Sequence, residues 1–230
     1  MKKRTRLAGM TAAICWMVFG ITLIILLTAG DGGYLGYQML KYAPPEISRL
    51  PETEYPGMGD MTAGYLTGRT ERFQYEFIDL SGKTVTCFHD YEEAHMADCR
   101  NLIRLDRFAM LISGGVLLVL GCSRIMMRRH ADGWYRGILW GLRIMVGIAA
   151  GMAAWAAVDF DGFFIAFHRI AFTNDGWLLN PGTDMLIRLM PEEFFVSLGI
   201  RGALWALIVP APLEIMARIG LRKRTVISGQ

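Results

Sequence analysis

Four long apolar stretches constrain the fold of this chain more than any other feature of its sequence. They cover residues 7–29, 108–121, 137–158 and 196–215. A helix needs about 20 consecutive apolar residues to cross a bilayer, and each stretch has that length or nearly so. Hydrophobic residues make up 53% of the 230 residues, a share above that of ordinary soluble domains. The sequence therefore predicts a mainly α membrane protein with four transmembrane helices.

Three clusters of basic residues indicate how these helices are oriented. One precedes the first stretch, one connects the second to the third, and one ends the chain. Their members are Lys2, Lys3, Arg4 and Arg6; Arg124, Arg128, Arg129 and Arg136; and Arg222, Lys223 and Arg224. Cytoplasmic loops are rich in Lys and Arg, and the clusters share one side only if an even number of spans separates them. Both termini are therefore predicted to be cytoplasmic. The net charge of +3 then reflects membrane anchoring, and no nucleic-acid partner is expected.

The apolar stretches divide the chain into eight predicted segments. The four transmembrane helices are expected in residues 1–30, which also hold the cytoplasmic N-terminus, and in residues 107–123, 137–160 and 196–217. Two segments are expected outside: a small α+β extracytoplasmic domain of residues 31–106 and a membrane-surface segment of residues 161–195. A basic loop of residues 124–136 and a tail of residues 218–230 are expected to be cytoplasmic. The first segment also has the basic start of a cleavable signal. Its apolar run exceeds the usual length of about 7–15 residues, so we expect a retained anchor.

The predicted domain of residues 31–106 contains a hairpin and two helices. Phe73, Tyr75 and Phe77 alternate with polar residues, Ser81-Gly82 is a turn pair, and Val85 and Cys87 alternate again. A short helix is expected around residues 61–66. A second helix is expected after the hairpin, capped by Asp90 with Glu93 at the capping-box position, and running on into the second span.

The four cysteines give no metal-binding pattern, since no CxxC pair is present. Cys15 and Cys122 fall in predicted spans and are most simply small apolar residues. Cys87 and Cys99 both lie outside, where an oxidising compartment permits a disulfide. Either state of this pair is compatible with the sequence.

Two histidines lie next to apolar surface on the predicted outer side. His95 follows the hairpin, and His168 lies in residues 163–195, where large apolar side chains alternate with turn residues as at a membrane surface. Histidine is the usual general base at neutral pH, and two in matching positions can share a cleft. Each taken singly is also compatible with a hydrogen-bonded interface residue.

Several carboxylates are candidate partners of these rings. Glu92, one turn before His95, or Asp98, one turn after it, could orient the His95 ring. Asp175 and Asp184 are the nearest candidates for His168. A metal site built from Glu92, His95, Asp98 and His168 is the competing hypothesis, because the ligand types suit it although the spacing matches no known pattern.

The residues around both histidines resemble the bacterial lipoprotein intramolecular transacylase family, Lit. The motifs that carry the resemblance are Glu92-x-x-His95-Met96-x-Asp98; Phe167-His168-x-x-x-Phe172-x-Asn174-Asp175-x-Trp177-Leu178-Leu179-x-Pro181-x-x-Asp184-x-Leu186-Ile187; and Pro191-Glu192-x-Phe194-Phe195. The similarity extends over all four spans. Cys99 departs from the pattern, since an aliphatic residue is expected there in the family.

The resemblance implies a multi-pass enzyme of the bacterial cell membrane with an extracytoplasmic active site. Such enzymes move the sn-2 acyl chain of a diacylglyceryl-cysteine lipoprotein to the α-amine of its N-terminal cysteine, giving the lyso form. The implied partners are therefore diacylglyceryl-modified lipoproteins and membrane lipid. Donor and acceptor belong to one molecule, so no acyl-enzyme nucleophile, cofactor or metal is expected.

The resemblance also implies roles for individual residues. His95 and His168 are the expected catalytic residues, one accepting the ammonium proton and one assisting departure of the glyceryl oxygen, with no assignment of which does which. The Asn174 amide or Trp177 indole could stabilise the oxyanion, although packing or turn roles suit both. Arg201 could meet a lipid phosphate or substrate carbonyl, or simply snorkel. The supporting set is Glu92, Asp98, Asn174, Asp175, Trp177, Asn180, Asp184 and Arg201.

In the third span, Gly137/Gly141 and Gly147/Gly151 repeat at a four-residue spacing that favours close helix packing. The same apolar and aromatic surfaces would also serve a noncatalytic membrane protein that binds lipid or a protein partner through its extracytoplasmic domain, and this is the alternative function.

Overall fold

The computed structural model describes residues 2–79, 81–126 and 131–228, and most of them are helical. The helices are α1 Lys2–Ala29, α2 Gly32–Tyr42, α3 Pro45–Ser48, α4 Tyr55–Thr67, α5 Asp90–Met126, α6 Ala131–Val158, α7 Phe160–Ala171, α8 Met185–Leu189, α9 Glu192–Ile208 and α10 Ala211–Ser228. A 3-10 helix covers Glu52–Glu54, and the strands are β1 Glu76–Ile78 and β2 Thr84–Thr86. Arg128 and Arg129 of the predicted basic loop lie outside the described residues.

Four segments are long and apolar enough to cross a membrane, which confirms the predicted number of spans. They are Lys3–Ala29, Asp90–Arg124, Asp132–Val158 and Glu192–Lys223. Large apolar side chains along them are exposed, among them Leu111, Leu118, Ile148 and Leu204. Water would penalise such extended apolar surface, whereas lipid would not. The chain is therefore a multi-pass membrane protein.

The fourth segment is not one uninterrupted helix, as the sequence had suggested. α9 ends at Ile208 and α10 begins at Ala211, with Pro210 between them. Proline lacks the N–H that would bond to the preceding turn, and its ring clashes with a carbonyl of that turn. A helix break at this residue follows.

One compact unit comprises Met1–Ile24, Arg107–Val158 and Gly202–Gln230. Its α1 and α6 pack closely through glycines: a side chain at Gly137 would meet the backbone of Arg6 and Met10, and one at Gly141 would meet Ala13. Gly147 and Gly151 face open space instead. The predicted packing role is thus confirmed for the first glycine pair only. The buried core of this unit is Ala12, Ala13, Met17, Trp134, Ile138, Leu142 and Ala217.

The second unit comprises Ile25–Asp106 and Asp159–Arg201 and contains all the site residues predicted from the sequence. Here α2 packs on α4, because Gly36 and Gly59 leave no side chain between the two backbones. The hydroxyl of Tyr55 bonds to the Ala43 carbonyl and lies 2.6 Å from Ser48 Oγ, which fixes the turn between these helices. The buried core is Leu35, Met39, Leu50, Tyr55, Met58, Ala63, Tyr65, Phe73, Cys87, Phe88, Met96, Met185, Leu186, Leu189, Met190 and Phe194.

The predicted hairpin is present, with shorter strands than the alternation suggested. β1 and β2 are antiparallel with Phe77 opposite Val85. Asp79 Oδ1 accepts from the backbone N–H of Ser81 and of Lys83, at 2.9 Å each, and Gly82 takes a positive φ of 80°. A glycine at this turn position therefore avoids the strain that a side chain would cause.

Helix α5 is continuous and runs into the second span, as predicted. Its N-terminal cap lies one residue before the predicted one. The helix starts at Asp90, so His89 is the capping residue, and Glu92 Oε2 accepts from the His89 N–H at 2.8 Å. The predicted box of Asp90 with Glu93 is wrong by one position. Charged residues recur up to Arg107 and are Asp90, Glu92, Glu93, Asp98, Arg100, Arg104, Asp106 and Arg107. Between Arg107 and Arg124, α5 carries no charged residue, as expected of a membrane-spanning part.

Candidate active site

The structure brings His95 of α5 and His168 of α7 together. Their ring centroids are 6.2 Å apart, with an angle of 30° between the ring planes. The exposed fraction is 8% for His95 and 7% for His168. Two residues separated by more than 70 positions thus form one buried pair, with rings close enough to face the same bound substrate.

His168 is held in one tautomer by the backbone of its own helix. Its Nδ1 lies 2.7 Å from the carbonyl oxygen of Phe164. A carbonyl oxygen only accepts, so Nδ1 carries a hydrogen, and the neutral ring keeps its lone pair on Nε2. Burial lowers the pKa of His168, while the bond to Phe164 opposes that effect. His168 is therefore a neutral imidazole with Nε2 available as a base.

Aromatic side chains surround the His168 ring. The centroid distances are 4.0 Å to Phe164, 5.3 Å to Phe167, 5.4 Å to Phe172 and 5.0 Å to Trp177. This apolar cage is the physical origin of the desolvation that lowers the pKa. Trp177, a predicted supporting residue, is one of these aromatic neighbours of His168.

His95 has one engaged and one unengaged ring nitrogen. Nε2 is 3.6 Å from Cys99 Sγ, and Nδ1 is buried without a hydrogen-bond partner in the part of the chain that the structure describes. Burial lowers the pKa of His95 to about 4, the nearby His168 contributes to the same direction, and Asp98 opposes it. His95 is therefore neutral at physiological pH and a poor base.

Glu92 does not orient the His95 ring, as the sequence had suggested it could. It is fully buried, and its Oε1 accepts from the Leu186 N–H at 2.7 Å while Oε2 accepts from the His89 N–H. Both oxygens are thus engaged by backbone groups. Glu92 joins the start of α5 to the start of α8 and positions the helix that carries His95.

Asp98 and Asn174 are brought together beside the histidines. Asn174 Nδ2 donates to Asp98 Oδ2 at 2.9 Å, and Asn174 Oδ1 accepts from the Gly176 N–H at 2.9 Å. One of the two N–H donors of the amide predicted as an oxyanion donor is therefore used by Asp98. Together the two side chains tie the loop after α7 to α5.

Asp184 holds the end of the same loop. Its Oδ1 accepts from the Tyr91 and Thr183 hydroxyls at 2.6 Å each, and its Oδ2 accepts from the Asn180 N–H at 2.7 Å. Burial alone would raise the pKa of Asp184, but these bonds bring it below its ordinary value. Asn180 Oδ1 closes the turn by accepting from the Gly182 N–H. Both residues act on the loop rather than on a histidine ring.

Asp175 and Arg201, two further candidates, lie elsewhere in this unit. Asp175 is exposed, and its backbone carbonyl accepts from the Leu178 N–H at 3.0 Å. The Arg201 guanidinium lies 3.7 Å from Asp31 and 3.9 Å from the centre of the Tyr34 ring, at the start of α2. The ion pair with Asp31 and the contact with the Tyr34 ring thus explain the position of the Arg201 side chain. Neither a bound substrate nor a reach towards the membrane surface is needed to explain it.

The geometry does not support the competing metal site. Both oxygens of Glu92 are occupied by backbone N–H groups. Among residues 2–79, 81–126 and 131–228, no three His, Cys, Asp or Glu side chains are grouped as metal ligands.

Cys87 and Cys99 are both free thiols, so the disulfide that the sequence left open is not formed.

Sequence reasoning missed two residues that contact the histidine pair. Cys99 was left without a chemical role, and the carbonyl of Phe164 was not considered. Both lie four positions from a histidine in a helix, Cys99 after His95 and Phe164 before His168. Residues at this spacing share a helix face, so the signal was available in the sequence.

Comparison with known proteins decides the family. The family model of the lipoprotein intramolecular transacylase Lit matches residues 10–195. The chain belongs to the Lit family. It is therefore an enzyme, a lipoprotein intramolecular transacylase, and the noncatalytic alternative is set aside. A sequence comparison with curated proteins finds no significant match.

Solved structures of a Lit enzyme share the fold. The membrane integral Lit from Bacillus cereus is 17% identical, with a TM-score of 0.76 over 97% of this chain and 98% of that one. A variant of that protein with one histidine replaced by alanine gives a TM-score of 0.72 at 17% identity, over 97% and 96% of the two chains. At this identity the likeness establishes the fold, and the roles of individual residues rest on the geometry described above.

Proposed function

We propose that the chain transfers the sn-2 acyl chain of a diacylglyceryl-cysteine lipoprotein to the α-amine of the same cysteine, with His168 as the proton carrier. The observation that carries this proposal is the buried histidine pair in which Nδ1 of His168 is bound to the Phe164 carbonyl and Nε2 is left as the acceptor. Transfer within one molecule needs a base, a proton donor and a held geometry.

The reaction balances with a single proton carrier. His168 Nε2 accepts a proton from the substrate nitrogen as the N–C bond to the ester carbonyl forms. The tetrahedral intermediate then loses its bond between carbonyl carbon and sn-2 oxygen, and His168 returns the proton to that oxygen. An amide and a glyceryl hydroxyl result, and His168 is neutral again. The initial ammonium form of the substrate first gives its extra proton to solvent.

His95 acts in this scheme as a hydrogen-bond donor rather than a base. Its pKa of about 4 leaves it neutral throughout, so it neither competes for the amine proton nor repels the protonated His168. A neutral imidazole N–H directed at the carbonyl oxygen would stabilise the oxyanion of the intermediate. The Trp177 indole, packed on His168, is the second candidate donor.

The surface around the pair suits a lipid substrate. Phe167 and Ile170 of α7 and Leu178 of the following loop are exposed. Apolar side chains on a short helix and its loop are typical of a segment that lies in the membrane interface. We infer that residues 161–195 contact membrane lipid and the acyl chains of the lipoprotein.

We also propose that this site faces the extracytoplasmic side, with both termini cytoplasmic. The basic clusters and the even number of candidate spans support this orientation. The proposal includes no cofactor, no metal and no nucleic-acid partner.

The test uses the purified full-length chain and a synthetic diacylglyceryl lipopeptide in detergent. The product is an isomer of the substrate, so fragment spectra must show one acyl chain moved from the glyceryl group to the amine. A mixture of two lipopeptides, one labelled with heavy acyl chains and one with a heavy peptide, tests whether the transfer is intramolecular. No doubly heavy product is expected, and a scrambled product would contradict the proposal.

A further inference from the structure

Cys99 contacts the histidine pair although no role has been given to it. It lies one turn after His95 on α5, with Sγ 3.6 Å from His95 Nε2. We propose that Cys99 is a positioning residue that donates its S–H to His95 Nε2 and thereby keeps the hydrogen of the neutral ring on Nδ1. This inference rests on the proposed function, and it assigns the His95 nitrogen that serves the substrate.

The protonation states of the two groups favour this direction of donation. Burial, together with the nearby Asp98, raises the pKa of Cys99 to about 12, so the sulfur keeps its hydrogen at physiological pH. His95 is neutral and therefore has one nitrogen with a lone pair. Sulfur is a weak acceptor, whereas an imidazole lone pair is a good one. Donation from S–H to Nε2 is thus better matched than donation from Nε2–H to sulfur.

The unengaged nitrogen of His95 is the second, independent observation. Nδ1 is buried and has no partner among the described residues, and the whole side chain is 8% exposed. A buried polar atom without a partner is costly, so a ligand that supplies one is favoured. With the hydrogen on Nδ1, the atom is a donor that awaits an acceptor. The oxyanion of the proposed intermediate is such an acceptor.

Other groups near His95 do not replace this contact. The titratable groups that interact with the ring are Asp98 and Cys99 on α5 and His168 on α7. Asp98 Oδ2 accepts from the Asn174 amide. The rings of His168 and His95 lie 6.2 Å apart between centroids, and the structure shows no hydrogen bond between these two side chains. Among the described residues, Cys99 is therefore the one that contacts a ring nitrogen of His95.

The first test reads the tautomer directly by ¹⁵N NMR of the ring nitrogens in the full chain, labelled at histidine and held in detergent. The wild-type chain should place the hydrogen of His95 on Nδ1. A Cys99→Val chain, which keeps an apolar side chain but has no S–H, should lose this preference. The buried thiol Cys87 provides the control, since Cys87→Val should leave the His95 signals unchanged. An Nε2–H tautomer in the wild-type chain would overturn the proposal without any variant.

The second test measures the rate of lyso-product formation. A hydrogen bond of ordinary strength corresponds to a loss of about threefold to tenfold in kcat for Cys99→Val, with KM little changed. Cys99→Ser, which restores a donor, should recover most of that loss. A Cys99→Val chain with the wild-type rate and tautomer would exclude the positioning role while the proposed function stands. Absence of lyso product from the wild-type chain would instead defeat the proposed function.

Discussion

At the scale of single residues, burial gives the two histidines protonation states that an exposed imidazole would not have. Burial lowers the pKa of both rings, and that of His95 falls to about 4. Each ring should therefore titrate below the ordinary histidine value of about 6.5. A pH titration followed by NMR of the ring signals checks this, and titration of either ring at or above the ordinary value would contradict the desolvated site.

The same low values have a consequence for stability. The unfolded chain binds protons at its histidines as the pH falls through about 6.5, before the buried rings do. Protonation therefore favours the unfolded state over the range between the unfolded and the lower folded pKa. The stabilisation from the neutral buried histidines is therefore fully present above about pH 6.5, and it is lost as the pH falls from there to the folded pKa values.

Two carboxylates of the loop after α7 differ in burial and in hydrogen bonding. Asp184 is buried and accepts three hydrogen bonds, whereas Asp175 is exposed. Asp184→Asn places an amide N–H₂ against donors and should lower stability by about 1–3 kcal/mol. Asp175→Asn, the matched control, should change little. Thermal unfolding in detergent measures both.

The effect of Asp184 should also depend on pH. Its pKa is lowered in the folded chain, so its carboxylate stabilises the fold above the unfolded value of about 3.9, and that contribution is lost as the pH falls through the folded value. Equal unfolding temperatures for Asp184→Asn and Asp175→Asn at neutral pH would contradict the loop-holding role of Asp184.

At the scale of elements, the packing of α6 on α1 differs along the helix. A side chain at Gly137 would meet the α1 backbone, whereas one at Gly147 would meet open space. Gly137→Ala should cost about 1–3 kcal/mol because backbone cannot yield as a side chain does. Gly147→Ala should be neutral or slightly stabilising, since alanine favours helix. Chemical or thermal unfolding of the two chains decides the matter, and equal losses would contradict the packing described here.

Elements also show how far local sequence signals reach. The hairpin and the long α5 were predictable, because alternation and capping are local properties. The observed cap lies one residue before the predicted one. Glu92 and Glu93 are both plausible capping partners in the sequence, and only the folded contact of Glu92 with Leu186 distinguishes them. The break at Pro210 was overlooked because mean hydropathy does not register a missing N–H.

The candidate site was predictable only in part, because some of its contacts depend on the tertiary fold and not on local sequence. The sequence predicted that His95 and His168 share a cleft, and their rings do lie together. The engagement of Glu92 by two backbone N–H groups, in contrast, depends on the folded position of α8. Arg201 is bound to Asp31, a partner 170 positions earlier that no local pattern indicates. Contacts across such separations arise only from the tertiary fold, so spacing arguments assigned these side chains to the wrong neighbours or to none.

At the scale of the whole molecule, the proposed topology makes a labelling prediction. Glu54→Cys and Gly182→Cys should react with a membrane-impermeant thiol reagent in intact cells, because both lie in proposed extracytoplasmic segments. Asp132→Cys should react only after the membrane is permeabilised. Each is made in a chain whose native cysteines are replaced, with Cys99→Ser at the contact with His95. Labelling of Asp132→Cys in intact cells would contradict the orientation.

We propose that the buried pair of His95 and His168 performs the transfer, and comparing four variants of the full chain tests this. The rate of lyso-product formation is measured for His95→Gln, His168→Gln, the double variant and His89→Gln, an exposed histidine at the start of α5. We predict that both single variants lose activity at equal abundance, by about 10²-fold or more for His168→Gln, and that the double variant loses little more than the worse single one. His89→Gln should retain activity. A folded His168→Gln chain that forms the lyso product at the wild-type rate would show that His168 is not the proton carrier.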